Sequence, residues 1–444
     1  MNRLKLDESQ REILWLVVVI GLPILLLAVY LSTAFFSQPG TDACPPECRE
    51  ADMSQADLRQ VDFEDGNLAQ ANFASANLQG ANLRSANLYF AQLQQANLAG
   101  ADLGGANLQA ASLLHTNLQG ANLRGANLRG ARLRGADLSQ ADLSGADLTG
   151  ALLEQANLRG MLVDQATHIS EKWRLVWELV NQGGANRNLS GVDLGAANLS
   201  GVNLQGADLG QANLSEADLR GADLSHATLT GARLQQAIVD ETTLISLKWR
   251  QVWDVVSNVQ SSRALANADL SGAYLRGTYL RSADLSGANL SQADLTDVDL
   301  RLANLSRASL RQTDLTEASL REANLQDSDL SGATLHGVDL TWANLRGVTI
   351  SETTLISDKW RLIWELVNQG GAGRDLSQAN LSWGDLAGVN LRASNLSGAD
   401  MRWANLSNAD LTAADLSGAN LKGANLDGAN LAGAVLEGAI LPAR

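Results

Sequence analysis

A period of five residues dominates this chain from Ala51 to Leu441. The segment 76–83 reads Ala-Asn-Leu-Gln-Gly-Ala-Asn-Leu, and the segment 141–148 reads Ala-Asp-Leu-Ser-Gly-Ala-Asp-Leu. Neither an α-helix nor a simple alternating strand has this period. A fixed internal period is typical of a solenoid, in which each repeat buries its apolar face only against its neighbours. The sequence therefore predicts a solenoid, whatever the length of the chain.

The central Leu of each repeat, called position i below, and the residue two places before it form the predicted interior. Side chains alternate in an extended segment, so position i−2, mostly Ala, points the same way as the Leu. Positions i−1, i+1 and i+2 are mostly polar or Gly, and we expect them to face water. Gly is frequent at i+2, where its conformational freedom suits a tight corner. A short strand and a corner in every repeat predict a coil with flat sides.

These residues resemble the pentapeptide-repeat family, whose motif A(D/N)LXX recurs over most of 51–441. The resemblance implies an all-β solenoid, a right-handed quadrilateral β-helix with four pentapeptides per coil and Leu and Ala in its lumen. A solenoid of this kind is expected to present surfaces rather than to perform chemistry, and the resemblance adds that many family members are cyanobacterial proteins without an assigned activity. Phe63 and Phe73 occupy central positions near the start, where we expect bulky side chains to help plug an open end. The other central positions that depart from Leu are conservative: Met53, Val163, Val239, Ile350 and Met401.

The segment 13–36 is predicted to be an uncleaved transmembrane helix. Its residues carry no formal charge, and as a helix they would span about 36 Å, enough for a hydrocarbon core of about 30 Å. A cleaved signal peptide is the alternative. The run is long for the apolar region of a signal peptide, about 7–15 residues, and no clear Ala-x-Ala cleavage site follows it.

Charges around this segment predict its orientation. Arg3, Lys5 and Arg11 precede it, and no Lys or Arg follows until Arg49. Because cytoplasmic flanks carry the excess of basic residues, we expect residues 1–12 to be a cytoplasmic N-terminal tail. The protein is then a single-pass membrane protein, with its repeat domain periplasmic or lumenal.

The only cysteines, Cys44 and Cys48, lie in the predicted linker 37–50. In an oxidising compartment they could form a disulfide. Two of the three residues between them are Pro, so strain is an objection to this pairing. Two free thiols are the alternative, and the sequence leaves the choice open.

The five-residue register breaks three times, at 164–188, 240–264 and 351–375, and the three breaks are equal in length. The three segments align without gaps around a shared Lys-Trp-Arg. In the first copy Trp173, Val176, Trp177 and Val180 follow the i, i+3, i+4, i+7 spacing of an amphipathic helix. Helical inserts are therefore predicted at about 167–186, 243–262 and 354–373.

The ends of these helices carry matching signals. A serine stands where an N-cap is expected in every copy: Ser170, Ser246 and Ser357. Glycine pairs at 183–184 and 370–371 are typical helix C-termini, and the second copy lacks such a pair. An Arg follows each helix at an inward i−2 position, where a lone charge would be costly. We expect Arg187, Arg263 and Arg374 to pair with Glu178, Asp254 and Glu365 or with helix C-terminal carbonyls.

Two interpretations of the helices stay open. Their paired tryptophans could form a partner-binding or dimer surface, or they could pack against the wall of the β-helix or cap an end. The residues concerned are Trp173, Trp177, Trp249, Trp253, Trp360 and Trp364. Whether the solenoid continues past each insert or restarts as separate blocks is also open, and continuity is the preferred interpretation.

Residues twenty apart should stack on one face, which identifies two further candidate surfaces. Trp383 and Trp403 lie one coil apart at i+2, with Arg402 beside them, and could form an interaction patch unless the third helix covers them. The other surface is a row of arginines at i+1, Arg281, Arg301 and Arg321. This row could bind an anion or an acidic partner, or it could be an ordinary solvated face neutralised by nearby acids.

The sequence contains no pattern typical of catalysis. Its four histidines are scattered, and no spacing suits a metal site, a nucleophile–base pair or a cofactor. The net charge of −15 argues against nucleic-acid binding. We therefore expect a non-enzymatic, membrane-tethered scaffold or protein-interaction module with an unknown protein partner and no cofactor or metal.

Three further roles and contacts remain as alternatives. One is a gyrase-binding DNA mimic, which the resemblance implies for some family members, and another is a regulatory subunit of a membrane transport or signalling complex. An open last coil would also leave backbone groups unpaired, so an end-to-end homodimer is a further hypothesis.

Overall fold

The computed structural model describes residues 47–258 and 263–442. The chain forms two compact units, of which the first ends at Arg174 and the second begins at Leu175. Three α-helices are present among the described residues: α1 (Glu171–Gln182), α2 (Leu247–Ser257) and α3 (Asp358–Gln369). Nearly all other described residues belong to pentapeptide repeats, each contributing one bridged strand residue and one turn.

Each regular coil contains twenty residues. Parallel bridges join position i−1 of one repeat to position i−1 twenty residues later, from Glu47↔Asn67 to Asn420↔Ile440. The N–H of Leu78 donates to the carbonyl of Asn97 (2.7 Å), and the N–H of Asn97 donates back to Ala76 (2.9 Å). Because twenty residues hold four pentapeptides, the predicted four-sided coil is confirmed.

The corner of each repeat lies at i+2 in the left-handed backbone region. At Gly80 φ is +66°, and the next residue closes the turn with a hydrogen bond from Ala81 N–H to the Leu78 carbonyl (3.0 Å). Glycine reaches this region without cost, whereas other residues lose roughly 1–2 kcal/mol there. Many repeats nevertheless place another residue at this corner, including Trp342, Trp383 and Trp403 (φ 55°, 63° and 58°).

Asp and Asn are favoured at i−1 because their side chains hold the turn. The Oδ1 of Asn122 accepts the N–H of Arg124 (3.2 Å), while its Nδ2 donates to Oδ1 of Asp102 on the preceding coil (2.7 Å). A Ser or Thr at i+1 adds a hydroxyl bond, as from Ser144 to Asp142 (2.6 Å). Much of the acidity of the chain is therefore structural.

The interior follows the predicted two positions, and the central leucines before the last described coil are almost completely buried. Phe63 and Phe73 pack edge to face in this interior with ring centroids 6.2 Å apart. The first described coil begins one repeat earlier than predicted, because Cys48 occupies a central position, is buried, and donates its N–H to Asn67 (2.9 Å). Its prospective disulfide partner Cys44 lies outside the described residues.

The predicted membrane helix 13–36 also lies outside the described residues. Within the described part of the chain, 47–258 and 263–442, no helix is long and apolar enough to cross a bilayer.

One more repeat precedes every helix than the sequence predicts. The bridges Asp147↔His168, Asp223↔Leu244 and Thr334↔Leu355 each span one residue more than a regular coil, so one residue is added at this repeat. Its i−2 position is a buried Thr whose hydroxyl donates to a carbonyl of the preceding coil, as from Thr243 to Leu219 (2.8 Å). The helices therefore begin a few residues later than the predicted inserts.

The buried stripe of each helix is rotated from the predicted one. When i denotes the first Trp of each helix, the most buried positions are i, i+3 and i+6. They are Trp173, Val176 and Leu179 in α1, Trp249, Val252 and Val255 in α2, and Trp360, Ile363 and Leu366 in α3. The predicted i+4 and i+7 positions, such as Trp177 and Val180, are only half-buried. The prediction was therefore right for positions i and i+3 and wrong about the centre of the stripe, because positions i+4 and i+7 lie at its margin and i+6 lies within it.

The helix ends agree with the sequence in position but not fully in chemistry. Ser246 and Ser357 are the N-caps of α2 and α3, yet their side chains make no capping bond. Gly370 ends α3 with φ 79°, and its N–H donates to the carbonyl of Leu366 (3.0 Å). Helix α2 ends at Asn258 instead, whose N–H donates to Asp254 (3.2 Å).

The solenoid of the second unit continues through the second and third inserts. The N–H of Gly231 donates to the carbonyl of Gly272 (2.7 Å), and that of Trp342 donates to Trp383 (2.9 Å). In both cases the sequence between the partners consists of one coil plus the inserted segment. The corner of one coil therefore meets the corner of the next, with the helix looped out between them. The preferred interpretation, continuity, is confirmed for these two inserts.

Candidate interaction surface

The tryptophans of the helices are used mainly for packing. Trp249 and Trp360 are buried. The indole N–H of Trp253 donates to the carbonyl of Ala237 and that of Trp364 to Val348, both at 2.7 Å. These bonds satisfy coil carbonyls beneath the helices, which favours packing on the wall over a partner surface. In α1, Trp173 is buried and Trp177 is half-buried.

The shared Lys-Trp-Arg also has a structural explanation. In each copy the Lys ammonium lies over the neighbouring indole, 4.9, 4.9 and 4.3 Å from the ring centroid at Trp173, Trp249 and Trp360. The Arg donates to the carbonyl of the buried Thr seven residues earlier, for example from Arg361 to Thr354 (2.9 Å). The motif therefore anchors the start of each helix to the last strand before it.

The predicted arginine pairs after the helices are confirmed. The distances are 3.2 Å for Arg187–Glu178, 3.2 Å for Arg263–Asp254 and 2.9 Å for Arg374–Glu365. Only the Arg263 side chain is fully buried, at 6% exposed, and it also donates to the carbonyls of Asp254 and Asn258 at the end of α2. Each pair joins the end of a helix to the repeat that follows it.

Trp383 and Trp403 stack as the twenty-residue spacing predicts. Their ring centroids lie 5.4 Å apart with an interplanar angle of 17°. Helix α3 does not cover the pair, because Trp403 remains 43% exposed and Trp383 is half-buried. The stack therefore reaches the surface.

Trp342 extends the stack, although its sequence position conceals this. It precedes Trp383 by one coil plus the inserted segment, on the other side of α3, and the ring centroids of the two are 5.2 Å apart. Its indole N–H donates to the carbonyl of Trp403 (2.7 Å). Sequence reasoning missed this residue because the twenty-residue count fails across an insert. A count that omits the inserted segment would have found it.

The arginine row and the tryptophan row form one continuous corner. The guanidinium of Arg321 lies over the ring of Trp342, 4.9 Å from its centroid. We call the corner formed by Arg281, Arg301, Arg321, Trp342, Trp383, Arg402 and Trp403 the Arg–Trp edge. The sequence treats these residues as two sites, and the structure of the second unit brings them together.

Carboxylates neutralise most of the arginines of the Arg–Trp edge. Arg301 makes two bonds to Asp299 (2.8 and 2.7 Å), and Arg402 makes two to Asp400 (2.8 and 2.8 Å). These bonds hold the pKa of Asp299 and of Asp400 below the ordinary value, although partial burial acts in the opposite direction. Arg321 pairs with Glu322 at 3.3 Å. Two of the three arginines of the row are therefore in ion pairs, which argues against a free anion site.

A smaller exposed aromatic pair lies in the first unit. Tyr89 and Phe90 are 37% and 49% exposed and meet edge to face with centroids 4.5 Å apart. The sequence analysis did not single them out. Across the described residues, no group of three or more His, Cys, Asp or Glu side chains is placed to hold a metal ion.

The family profile described as "Pentapeptide repeats (8 copies)" matches residues 51–160, 188–236, 265–356 and 375–441 through overlapping copies. These matches cover more than half of the chain. The chain belongs to the pentapeptide-repeat family. The membership implies the right-handed β-helix that the resemblance predicted, and proteins of this family are generally non-enzymatic structural or interaction proteins.

Several solved structures are similar to this chain. HetL, involved in heterocyst differentiation regulation in the cyanobacterium Nostoc sp. strain PCC 7120, is 25% identical over 70% of this chain and 92% of its own, with a TM-score of 0.19. A protein of the Arabidopsis thaliana thylakoid lumen is 33% identical over 24% of this chain and 73% of its own (TM-score 0.23). Rfr23 from Cyanothece 51142 is 32% identical over 28% and 91% (TM-score 0.18). No curated protein sequence matches the chain.

Proposed function

We propose that this protein is a membrane-tethered interaction module that docks a protein partner along the Arg–Trp edge. The stack of Trp342, Trp383 and Trp403, which reaches the surface at the exposed ring of Trp403, carries this proposal. Tryptophan and arginine are the residues most enriched among those that dominate binding energy at interfaces. The same corner continues to exposed apolar side chains at Leu302 and Tyr279, 44% and 58% exposed, so the apolar contact area extends beyond the indoles.

The cost of placing tryptophan at these corners supports a role beyond folding. Each of the three lies in the left-handed region, where glycine would be less strained. Other coils of the second unit close their corners with Gly, Ser or Gln, so the fold does not require an indole there.

The membrane tether rests on the sequence of residues 13–36. In this proposal residues 1–12 are cytoplasmic, and the module stands on the periplasmic or lumenal side, as the distribution of Arg3, Lys5 and Arg11 predicts. A regulatory subunit of a membrane complex would use the same edge. A gyrase-binding DNA mimic would need a cytoplasmic module, and the apolar Arg–Trp edge is unlike a duplex surface.

Self-association through the last described coil is a second candidate contact. Leu436 and Leu441 occupy inward central positions but are 37% and 50% exposed. An end-to-end homodimer would bury them. Light scattering of the full chain in mild detergent tests this contact, and a monomer at every concentration would contradict it.

Site-specific photo-cross-linking in membrane vesicles of known orientation tests docking and placement together. A photoreactive residue at Thr341, beside Trp342, should yield a discrete product with a partner protein, whereas one at Thr316 on a neighbouring side of the coil should not. The product should disappear in the Trp403→Ala variant and should resist protease added to the cytoplasmic side.

Equal products from the two positions, or a product that survives Trp403→Ala, would contradict docking at the Arg–Trp edge. Digestion of the module from the cytoplasmic side would contradict the orientation. Extraction of the protein from vesicles by alkaline carbonate would contradict the tether.

A further inference from the structure

A groove runs beside the Arg–Trp edge, between the corner and the next side of the coil. It has a volume of about 370 Å³, and it is lined by Glu322, Trp342, Asp385, Trp403, Asn405 and Gly423, among others. Trp403 lies over Gly423, where any β-carbon would collide with the indole. The missing side chain at Gly423 therefore lets the indole lie flat.

The flat faces of the indoles are already occupied by this chain's own groups. Arg321 covers Trp342, and Trp383 stacks on Trp403. A ligand that recognises tryptophan by lying flat on its ring, such as a sugar or a nucleobase, would have no free face here. What the groove offers is the indole rims together with the polar groups along its floor.

The hydrogen bonds along the floor leave one carboxylate acceptor open. The amide of Asn425 donates to Asn405 (3.4 Å), and the amide of Asn405 donates to Oδ1 of Asp385 (2.7 Å). The Ala387 N–H reaches the same Oδ1 at 3.4 Å. Among the described residues no hydrogen bond is made to Asp385 Oδ2. One N–H of each amide therefore points along the column formed by Asn425, Asn405 and Asp385, and the column ends on a carboxylate with one open oxygen.

A second carboxylate, Glu322, lies at the other wall of the groove. Its Oε1 faces the Nε of Arg321 at 3.3 Å. Because Glu322 is already paired with Arg321, the open Oδ2 of Asp385 is the acceptor that favours a group with several N–H donors and disfavours an anion. The indole rims contribute apolar contact only, since the edge of an aromatic ring is electropositive. The net charge of the chain, −15, acts in the same direction.

We propose that this groove receives a basic side chain, Arg in preference to Lys, from the protein partner. A guanidinium is planar and weakly hydrated, so it can enter a groove between indole rims and present paired N–H groups to the Asp385 carboxylate. This inference rests on the proposed function, because it names the chemistry by which the partner engages the same edge.

Fluorine NMR of the full chain in detergent, labelled with 5-fluorotryptophan, tests the proposal directly. The probe is acetyl-Gly-Arg-Gly-amide, with the corresponding Glu and Leu peptides as controls. The resonances of Trp342 and Trp403, assigned from Trp→Phe variants, should shift saturably with the Arg peptide alone. Asp385→Asn should weaken this binding about tenfold, the loss expected for a charge-assisted hydrogen bond.

Asp385→Asn is a suitable variant because Asn occupies position i−1 in many other repeats and keeps the Oδ1 acceptor. Asp410→Asn, on another side of the coil, is the matched control and should not change the affinity. Absence of saturation at millimolar Arg peptide, equal binding of the Glu peptide, or unchanged affinity in Asp385→Asn would overturn the proposal.

The two proposals fail in different ways. Loss of the Thr341 cross-link in Trp403→Ala but not in Asp385→Asn would support docking at the Arg–Trp edge and contradict the binding of a partner Arg side chain in the groove. Persistence of the cross-link in Trp403→Ala would contradict docking at this edge, regardless of the result of the titration with the Arg peptide.

Discussion

Single residues decide where the helices join the solenoid. Gly371 occupies the central position of a repeat, where other repeats have Leu, and its N–H makes the usual bond to the next coil at Asn390 (2.8 Å). The empty space is filled from the helix, because Leu366 Cδ2 would lie 2.6 Å and Leu391 Cδ2 2.8 Å from a β-carbon at Gly371. Gly184 has the same relation to Leu179 and Leu204 (2.7 and 2.8 Å). The second glycine of each pair therefore makes room for a helix side chain.

Replacement of Gly371 by Ala should destabilise the second unit by about 1–3 kcal/mol, the usual cost of overpacking a core. Thermal or denaturant unfolding followed by circular dichroism measures this change. Gly210→Ala is the matched control, because the added carbon there meets first the Asp208 carboxylate at the surface (3.1 Å). Equal stability of the two variants would contradict the assigned role of Gly371.

Side chains of helices α2 and α3 donate hydrogen bonds to coil carbonyls that do not pair with a neighbouring strand. In α3, Trp364 donates to the Val348 carbonyl (2.7 Å) and Asn368 donates to Leu345 (3.0 Å). In α2, Trp253 donates to Ala237 in the same way (2.7 Å). A buried carbonyl without a donor is costly, so these side chains replace the bonds of a missing strand.

The Trp364→Phe variant keeps most of the ring but loses the indole donor. Because the Val348 carbonyl then lacks its partner, unfolding free energy should fall by about 1–3 kcal/mol. Trp253→Phe should have the same effect at Ala237, whereas Trp403→Phe, at an exposed ring, should change stability little. Differential scanning calorimetry of the three variants checks this, and a loss at Trp403 equal to that at Trp364 would contradict it.

The charge of the whole molecule is tied to its fold through the aspartates at i−1. Hydrogen bonds from hydroxyl and N–H groups at i+1 lower the pKa of many of them, including Asp284, Asp410 and Asp415. At the repeat before α2, bonds led by the Thr242 hydroxyl lower the pKa of Asp240 to about 2, although desolvation acts against them. These bonds are stronger when the carboxylate is ionised, which is why they lower its pKa.

The protein should therefore lose stability in acid over a defined range. A carboxylate whose folded pKa lies below its unfolded value contributes stability above the unfolded pKa, and the contribution is lost as pH falls through the folded value. Unfolding free energy should be flat from neutral pH to about 5 and should decline between about pH 4 and 2. Repulsion within the acidic chain opposes this trend, but salt at about 0.15 M screens it over distances beyond about 8 Å.

Denaturant titrations at a series of pH values measure this decline. Asp240→Asn should reduce the slope, since Asn retains the acceptor but does not titrate. Constant or rising stability between about pH 4 and 2 would show that relief of charge repulsion outweighs the lost bonds.

The four repeats per coil followed from the family resemblance. The sequence by itself determined the flat-sided solenoid, the approximate places of the three helical inserts, and the partners of Arg187, Arg263 and Arg374. It could do so because each repeat meets the same neighbours as every other repeat, so local pattern and tertiary environment coincide. At the inserts this equivalence ends. Only the tertiary structure placed Trp342 beside Trp383, rotated the helix stripe towards positions i, i+3 and i+6, and filled the space at Gly371 with Leu366. These contacts join residues whose separation is set by a looped-out helix rather than by the repeat, and no local period encodes them.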